Sequence, residues 1–244
     1  MKYWSDKIIC SQHFSNSCRT TPFRIAVYQF DYSTTEDKVL IDNLLMEAKN
    51  LASKVYSGAA NDSVSSRSRE RIYANCIAGV ISEYCWKHYL NYEKEVVRST
   101  PFESASNQID LEVISNQKKI EVRSSFPRNG VEFAICHPTK EFDILGPYSN
   151  AYKPGEVLKD YFIRTLFPMS KATDIIELVK SRNFMLYLTG GATKGMMFDP
   201  SLSKEKTFIP EDNFTIQTAS LYKVVPFHNA LDCSQIYHLI KGEI

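Results

Sequence analysis

Charged residues alternate along two short stretches of the chain, Ile109-Asp110-Leu111-Glu112-Val113 and Lys119-Ile120-Glu121-Val122-Arg123. A period of two is the mark of a strand that buries one side and exposes the other. Asp110 and Glu112 share a side of the first stretch, and Lys119, Glu121 and Arg123 share a side of the second. Between them Ser115-Asn116-Gln117-Lys118 is polar and turn-like, so the two stretches form a hairpin. Antiparallel pairing then sets acids beside bases. Two carboxylates held close repel unless a cation lies between them. No His or Cys belongs to the cluster, so the fitting occupant is a hard, oxygen-loving divalent ion such as Mg2+ rather than zinc. A plainer arrangement of the same residues is a surface pair of Glu121 with Arg123, and Glu112 as a solvated strand charge. Glu103, before the first strand, is a weaker candidate ligand.

The rest of the chain must hold that hairpin. Residues 22–30 suit a strand, and 36–56 a helix with Leu40, Leu44, Leu45, Ala48 and Leu51 at helical spacing. Small and polar residues at 57–63 break that helix. A second helix is expected from about Ser66 to Leu90, with Ile72, Cys76, Val80, Ile81, Tyr84 and Tyr89 as its apolar positions. After the hairpin, strands are expected at Gly130–Cys136, Tyr161–Phe167 and Phe184–Thr189, the last closed by Gly190-Gly191. A short helix fits 171–181, a late strand Ser220–Val225 and a final helix Ser234–Lys241, with 192–227 a small sheet extension or loop region. This order indicates one α/β (α+β) domain over 1–244, a central mixed β-sheet flanked by helices. Its core spans about 66–190, with an N-terminal helical and strand extension (1–65) and a C-terminal sheet extension (191–244).

With 244 residues, 43% of them hydrophobic, the chain can bury a substantial core. Its net charge of +1 gives no overall pull toward nucleic acid, so any such binding needs a local patch. No apolar run reaches the roughly 18 residues of a membrane span, and the first residues lack the apolar region of a secretory signal. A cytoplasmic location is therefore expected. The six cysteines include no Cys-x-x-Cys pair, so buried free thiols are expected, and a zinc site from Cys10, His13 and Cys18 lacks a fourth ligand. Gly190–Gly195 lacks phosphate-loop spacing, no Gly-x-Ser-x-Gly elbow occurs, and the histidines show no ligand spacing. Arg67, Arg69 and Arg71 cluster where the second helix starts, fit either to grip phosphates or to form a solvated helix end. Lys153, Lys159, Arg164, Lys171 and Arg182 are interleaved with Tyr148, Tyr152, Tyr161 and Phe162, a pattern that suits a nucleic-acid groove and equally a packed core.

A helix bearing an acid, a strand with Asp and a strand with Glu-x-basic resemble, in that order, the PD-(D/E)XK nuclease superfamily. Asp110 matches the strand aspartate of that family, and Glu121, after ten intervening residues, the acid of its (D/E)XK element. Glu83 matches the helix glutamate that many members carry, and the resemblance covers about residues 70–126. It implies a restriction-endonuclease-like core and metal-assisted phosphodiester hydrolysis. Mg2+, or Mn2+ in its place, would be held by Asp110, Glu121, the Val122 carbonyl and Glu83. DNA would be the substrate, contacted by Arg67, Arg69, Arg71 and Lys119, with a homodimer cutting both strands and no organic cofactor or membrane involved. Two positions depart from the pattern: Ile109 stands for the proline and Arg123 for the lysine. The lysine of that family orients or deprotonates the attacking water, whereas an arginine stays protonated and serves to hold the phosphate. A water activated by the ion would then supply the hydroxide, or Lys119 would substitute. The alternatives left open are a catalytically impaired binding protein of this fold and an RNA-cutting toxin.

Overall fold

The computed structural model describes residues 1–10, 21–55, 68–101, 108–137, 142–149, 156–208 and 220–242. Seven strands form the main sheet: β1 (Lys2–Ile8), β2 (Phe23–Phe30), β3 (Val97–Ser99), β4 (Leu111–Val113), β5 (Lys119–Ser125), β7 (Tyr161–Leu166) and β8 (Phe184–Thr193). They lie in the order β1-β2-β8-β7-β5-β4-β3, antiparallel throughout except for β5 and β7, so the sheet is mixed. A second, three-stranded sheet runs β6 (Asp143–Ser149), β10 (Ser220–Pro226), β9 (Lys204–Phe208).

Both faces of the main sheet are covered. On one face α1 (Thr35–Lys54), α2 (Arg69–Leu90) and α6 (Cys233–Lys241) pack over Ala26, Tyr28, Ile120, Ile163, Leu186 and Leu188. On the other, α3 (Val131–Cys136), α5 (Lys194–Phe198) and the second sheet pack over Phe23, Ile25, Val27, Phe162 and Ala192. Burial on both sides explains why β2 and β7 are nearly continuous apolar runs rather than alternating ones. Helix α2 starts at Ser68, whose hydroxyl accepts the Arg71 amide. It is anchored deeper by Trp86, whose indole N–H donates to Thr165 on β7 at 3.1 Å. A short 3-10 turn, Ala172–Asp174, leads into α4 (Ile175–Leu178), inside the helix expected at 171–181.

Three expectations are corrected. The segment Val131–Cys136 is helix, not strand. Val131, Ala134 and Ile135 bury one helical face, a spacing that a short apolar run shares with a strand. Gly190 and Gly191 do not close β8 but lie inside it, where Gly191 and Leu231 exchange backbone hydrogen bonds of 2.9 Å. Gly190 has φ +90°, and a Cβ there would run into the Leu231 carbonyl, so the close approach of two backbones is what requires glycine. Finally, Cys10 and Cys136 form a disulfide, while Cys76, Cys85 and Cys233 are buried thiols outside any disulfide. Cys10 is therefore spent as a zinc ligand, and His13 and Cys18 lie outside the described residues. No helix among the described residues is long and apolar enough to cross a membrane.

Candidate active site

The hairpin forms as expected, but β4 is short. Leu111 pairs with Ile120 and Glu112 with Lys119, and Asp110 stands just outside the strand. The Asp110 amide donates to the Ile120 carbonyl at 3.2 Å, and its Oδ2 accepts the Val122 amide at 2.6 Å. The carboxylate thus continues the ladder where the β4 backbone stops, which fixes it against the middle of the Glu121-Val122-Arg123 triplet.

Glu83 of α2, Asp110, Val122 and Gln108 line one cavity of about 390 Å3, together with Glu47 and Lys54 of α1. Burial pushes the Glu83 carboxyl up to about 8, and Asp110 adds to the rise while a hydrogen bond from Ser99 opposes it. Asp110 is raised as well, by burial first and then by Glu121, against the Val122 amide, Arg123 and Lys159. Glu121 thus makes Asp110 harder to ionise and Asp110 does the same to Glu83, which is the electrostatic condition a bound cation would relieve.

Glu121 is turned elsewhere. It pairs in register with Phe162, whose side chain belongs to the core on the face away from α2. Only 8% exposed, it meets Arg123 Nη2 at 2.6 Å with Oε1 and Lys159 Nζ at 2.7 Å with Oε2. Lys159 is 1% exposed and also meets Glu156 at 2.9 Å, and Glu156 lies 3.6 Å from Arg123. The Arg123 guanidinium lies over the Tyr148 ring, 5.3 Å from its centroid. Burial works against the Lys159 charge, but Glu121 and Glu156 outweigh it and raise the ammonium pKa. The Glu121–Arg123 pair expected of an ordinary sheet is present, then, but inside a buried network of four charged groups. Among the described residues, no group of three His, Cys, Asp or Glu side chains is arranged to hold a metal ion.

The structure therefore joins Glu83 with Asp110 in one cavity and couples Asp110 to Glu121 electrostatically, while Arg123 and Lys159 hold Glu121 on the opposite face. The Lys119 backbone amide donates to Asp160 Oδ2 at 2.8 Å, and the lysine that reaches Glu121 is Lys159, which the sequence reading did not place there. Nothing local to Lys159 signals this role, because it precedes β7 and meets β5 only through parallel pairing. Glu112 makes the plain cross-strand pair, 2.5 Å from Arg98. Arg69 and Arg71 stand at the start of α2, about 20 Å along the axis from Glu83 at the usual rise per residue. Arg67, Glu103, Tyr152 and Lys153 lie outside the described residues. Arg164 is buried, with one hydrogen bond of 2.6 Å to Ser125, as core packing rather than a groove would have it.

No family model matches the chain, and no solved structure does. It is similar to an uncharacterized protein of Methanocaldococcus jannaschii, MJECS01, at 32% identity over 141 residues. That match takes in 52% of this chain and 49% of the relative, so the chain spans about half the relative's length.

Proposed function

We propose that this chain is a Mg2+-dependent DNA endonuclease with a restriction-endonuclease-like core, Mn2+ serving in place of Mg2+. The observation that carries the reading is the shared cavity of Glu83 and Asp110, with both carboxyls driven toward neutrality by burial, Glu83 further by Asp110 and Asp110 further by Glu121. The donor set fits a hard divalent cation, being all oxygen. Asp110 and Glu83 would hold the ion, with Glu121 joining once it yields one of its two cationic partners. A divalent cation there supplies charge for the phosphate and lowers the pKa of an attacking water. Arg123, permanently charged, holds a phosphate oxygen. Lys159 holds Glu121 in its orientation, and unlike the arginine it can exchange a proton. Homodimerisation belongs to the same reading, since cutting two strands takes two sites.

One observation favours a second reading, a binding protein of the same fold without catalysis: both Glu121 oxygens are already engaged by cations. Cleavage of supercoiled plasmid with Mg2+ or Mn2+ separates the two. The endonuclease reading expects metal-dependent nicking that falls by about 10²-fold or more in Asp110→Asn and in Glu121→Gln. A folded wild type that leaves plasmid and single-stranded DNA intact sinks it, and cutting of RNA alone reassigns the substrate.

A further inference from the structure

The main sheet ends on one side in β1, and among the described residues no strand lies beyond it. Lys2–Ile8 pairs with β2 along its whole length with no shift of register, so its outer side is a straight ladder edge. The opposite edge, β3, has only three residues. A long open edge is a template for another strand, and proline or a bulge is a common protection. The strand β1 has neither. Near its middle stands Trp4, 39% exposed and part of neither hydrophobic core. Lys2, Trp4 and Asp6 share one face of the strand, the side of Ile25 and Val27. Lys2 and Asp6 are exposed, and among the described residues neither forms a salt bridge. The contact recorded for the Asp6 carboxylate is local: its Oδ1 accepts the Lys7 amide at 2.7 Å.

We propose that β1 pairs with β1 of a second copy of this chain, edge to edge and antiparallel, about a two-fold axis at Trp4. Facing residues of an antiparallel ladder turn their backbone groups the same way. A strand paired with itself therefore sets even-numbered residues opposite even and odd opposite odd. Two such registers use most of β1. With Ser5 on the axis, Lys2 faces Ile8 and Trp4 faces Asp6, each a charge against an apolar side chain. With Trp4 on the axis, Lys2 faces Asp6 on both sides of it, and the two Trp4 rings face each other. Opposite charges and paired aromatic rings are the cross-strand contacts that stabilise a sheet, so charge complementarity selects the second register. The contact is self-complementary and closed, as a two-fold interface must be. Strand pairing over Lys2–Asp6 makes a small interface, so dimer and monomer exchange. The pairing holds whether or not the chain cuts DNA, and it gives the dimer of that reading its surface.

The test is sedimentation equilibrium of the full chain over a dilution series, which reads the dimer dissociation constant. Wild type is compared with Lys2→Glu, Asp6→Lys, the two combined, and Trp4→Thr. Each charge reversal sets like charges opposite one another twice across the axis, so each should weaken the dimer about tenfold. The combined variant restores opposite charges in the Trp4-centred register and should return to the wild-type constant. Trp4→Thr keeps a strand-forming residue but removes the ring pair, and should weaken the dimer as well. A wild type that stays monomeric at every concentration overturns the proposal and leaves the edge to some other strand. A dimer indifferent to both charge reversals uses another surface and overturns it too. Two weakened single variants with no recovery in the combined one reject the Trp4-centred register, and with it the proposal. Should a charge reversal fail to unfold cooperatively in urea, Trp4→Thr decides: an unchanged dimer constant rejects the pairing.

Discussion

Lys159 shows how much one buried ammonium can govern. It is the shared partner of Glu121 and Glu156, and removing it would leave two buried carboxylates with Arg123 alone between them. Breaking such a network from one side costs about 3–5 kcal/mol. Lys159→Met should therefore lower the urea midpoint sharply, and an unshifted midpoint would show that the pair contributes nothing. Glu83 makes a prediction of the opposite sign. Its folded-state pKa, about 8, lies above the ordinary 4.5, so the native protein binds a proton that the unfolded chain has released over that interval. Stability of the metal-free protein is then full below about pH 4.5 and falls as pH rises toward 8. Glu83→Gln removes that loss. Urea unfolding should find the variant more stable than wild type at pH 8 and close to it at pH 5, and equal stabilities at both pH values would contradict the burial of this carboxyl.

At the scale of elements, the hairpin positions the acids and β8 braces the sheet behind them. Asp110 works from outside β4, and its hold on the Val122 amide is what aligns it with Glu121. Glu112, one strand position away from the same turn, is bound to exposed Arg98, so Glu112→Ala should change stability by less than about 1 kcal/mol. Gly190 is less forgiving. With φ +90° and the Leu231 carbonyl where a Cβ would go, Gly190→Ala should cost about 1–3 kcal/mol for the backbone conformation and more for the clash. Thermal unfolding reads the difference between these two substitutions directly, and a harmless Gly190→Ala would mean that the β8–Leu231 contact is looser than it stands.

For the whole molecule, the main sheet separates two hydrophobic cores, and the candidate site spans both sides of it. Glu83 comes from the α2 face, Glu121 projects to the face covered by the second sheet, and Asp110 sits at the strand end between them. The Cys10–Cys136 disulfide, closing a sequence separation of 126, ties the chain after β1 to α3 on the second-sheet side. Removing a link of that span costs about 2–5 kcal/mol, mostly by freeing the unfolded chain. Cys10→Ser combined with Cys136→Ser should lower the urea stability by that amount, and a reductant should do the same to wild type but nothing to the double variant.

Alternation and turn chemistry were enough to place the Asp110–Arg123 hairpin, and apolar spacing enough for both long helices, because these patterns are local and each follows from one residue's neighbours along the chain. The acids Asp110, Glu121 and Glu83 were legible for the same reason, as types at spacings. Periodicity failed at Val131–Cys136, where six residues are too few to separate a helical period from a strand run. It failed again at Gly190-Gly191, whose purpose lies in a backbone forty residues further on. Only the tertiary structure decided which way each acid faces: β5 lies parallel to β7, so Lys159 meets Glu121, and Asp110 and Glu83 share a cavity that Glu121 does not line. Sequence fixes residue types and local periods, whereas the partner of a buried charge is chosen by which strands lie side by side, and that is settled by the packing of the whole chain.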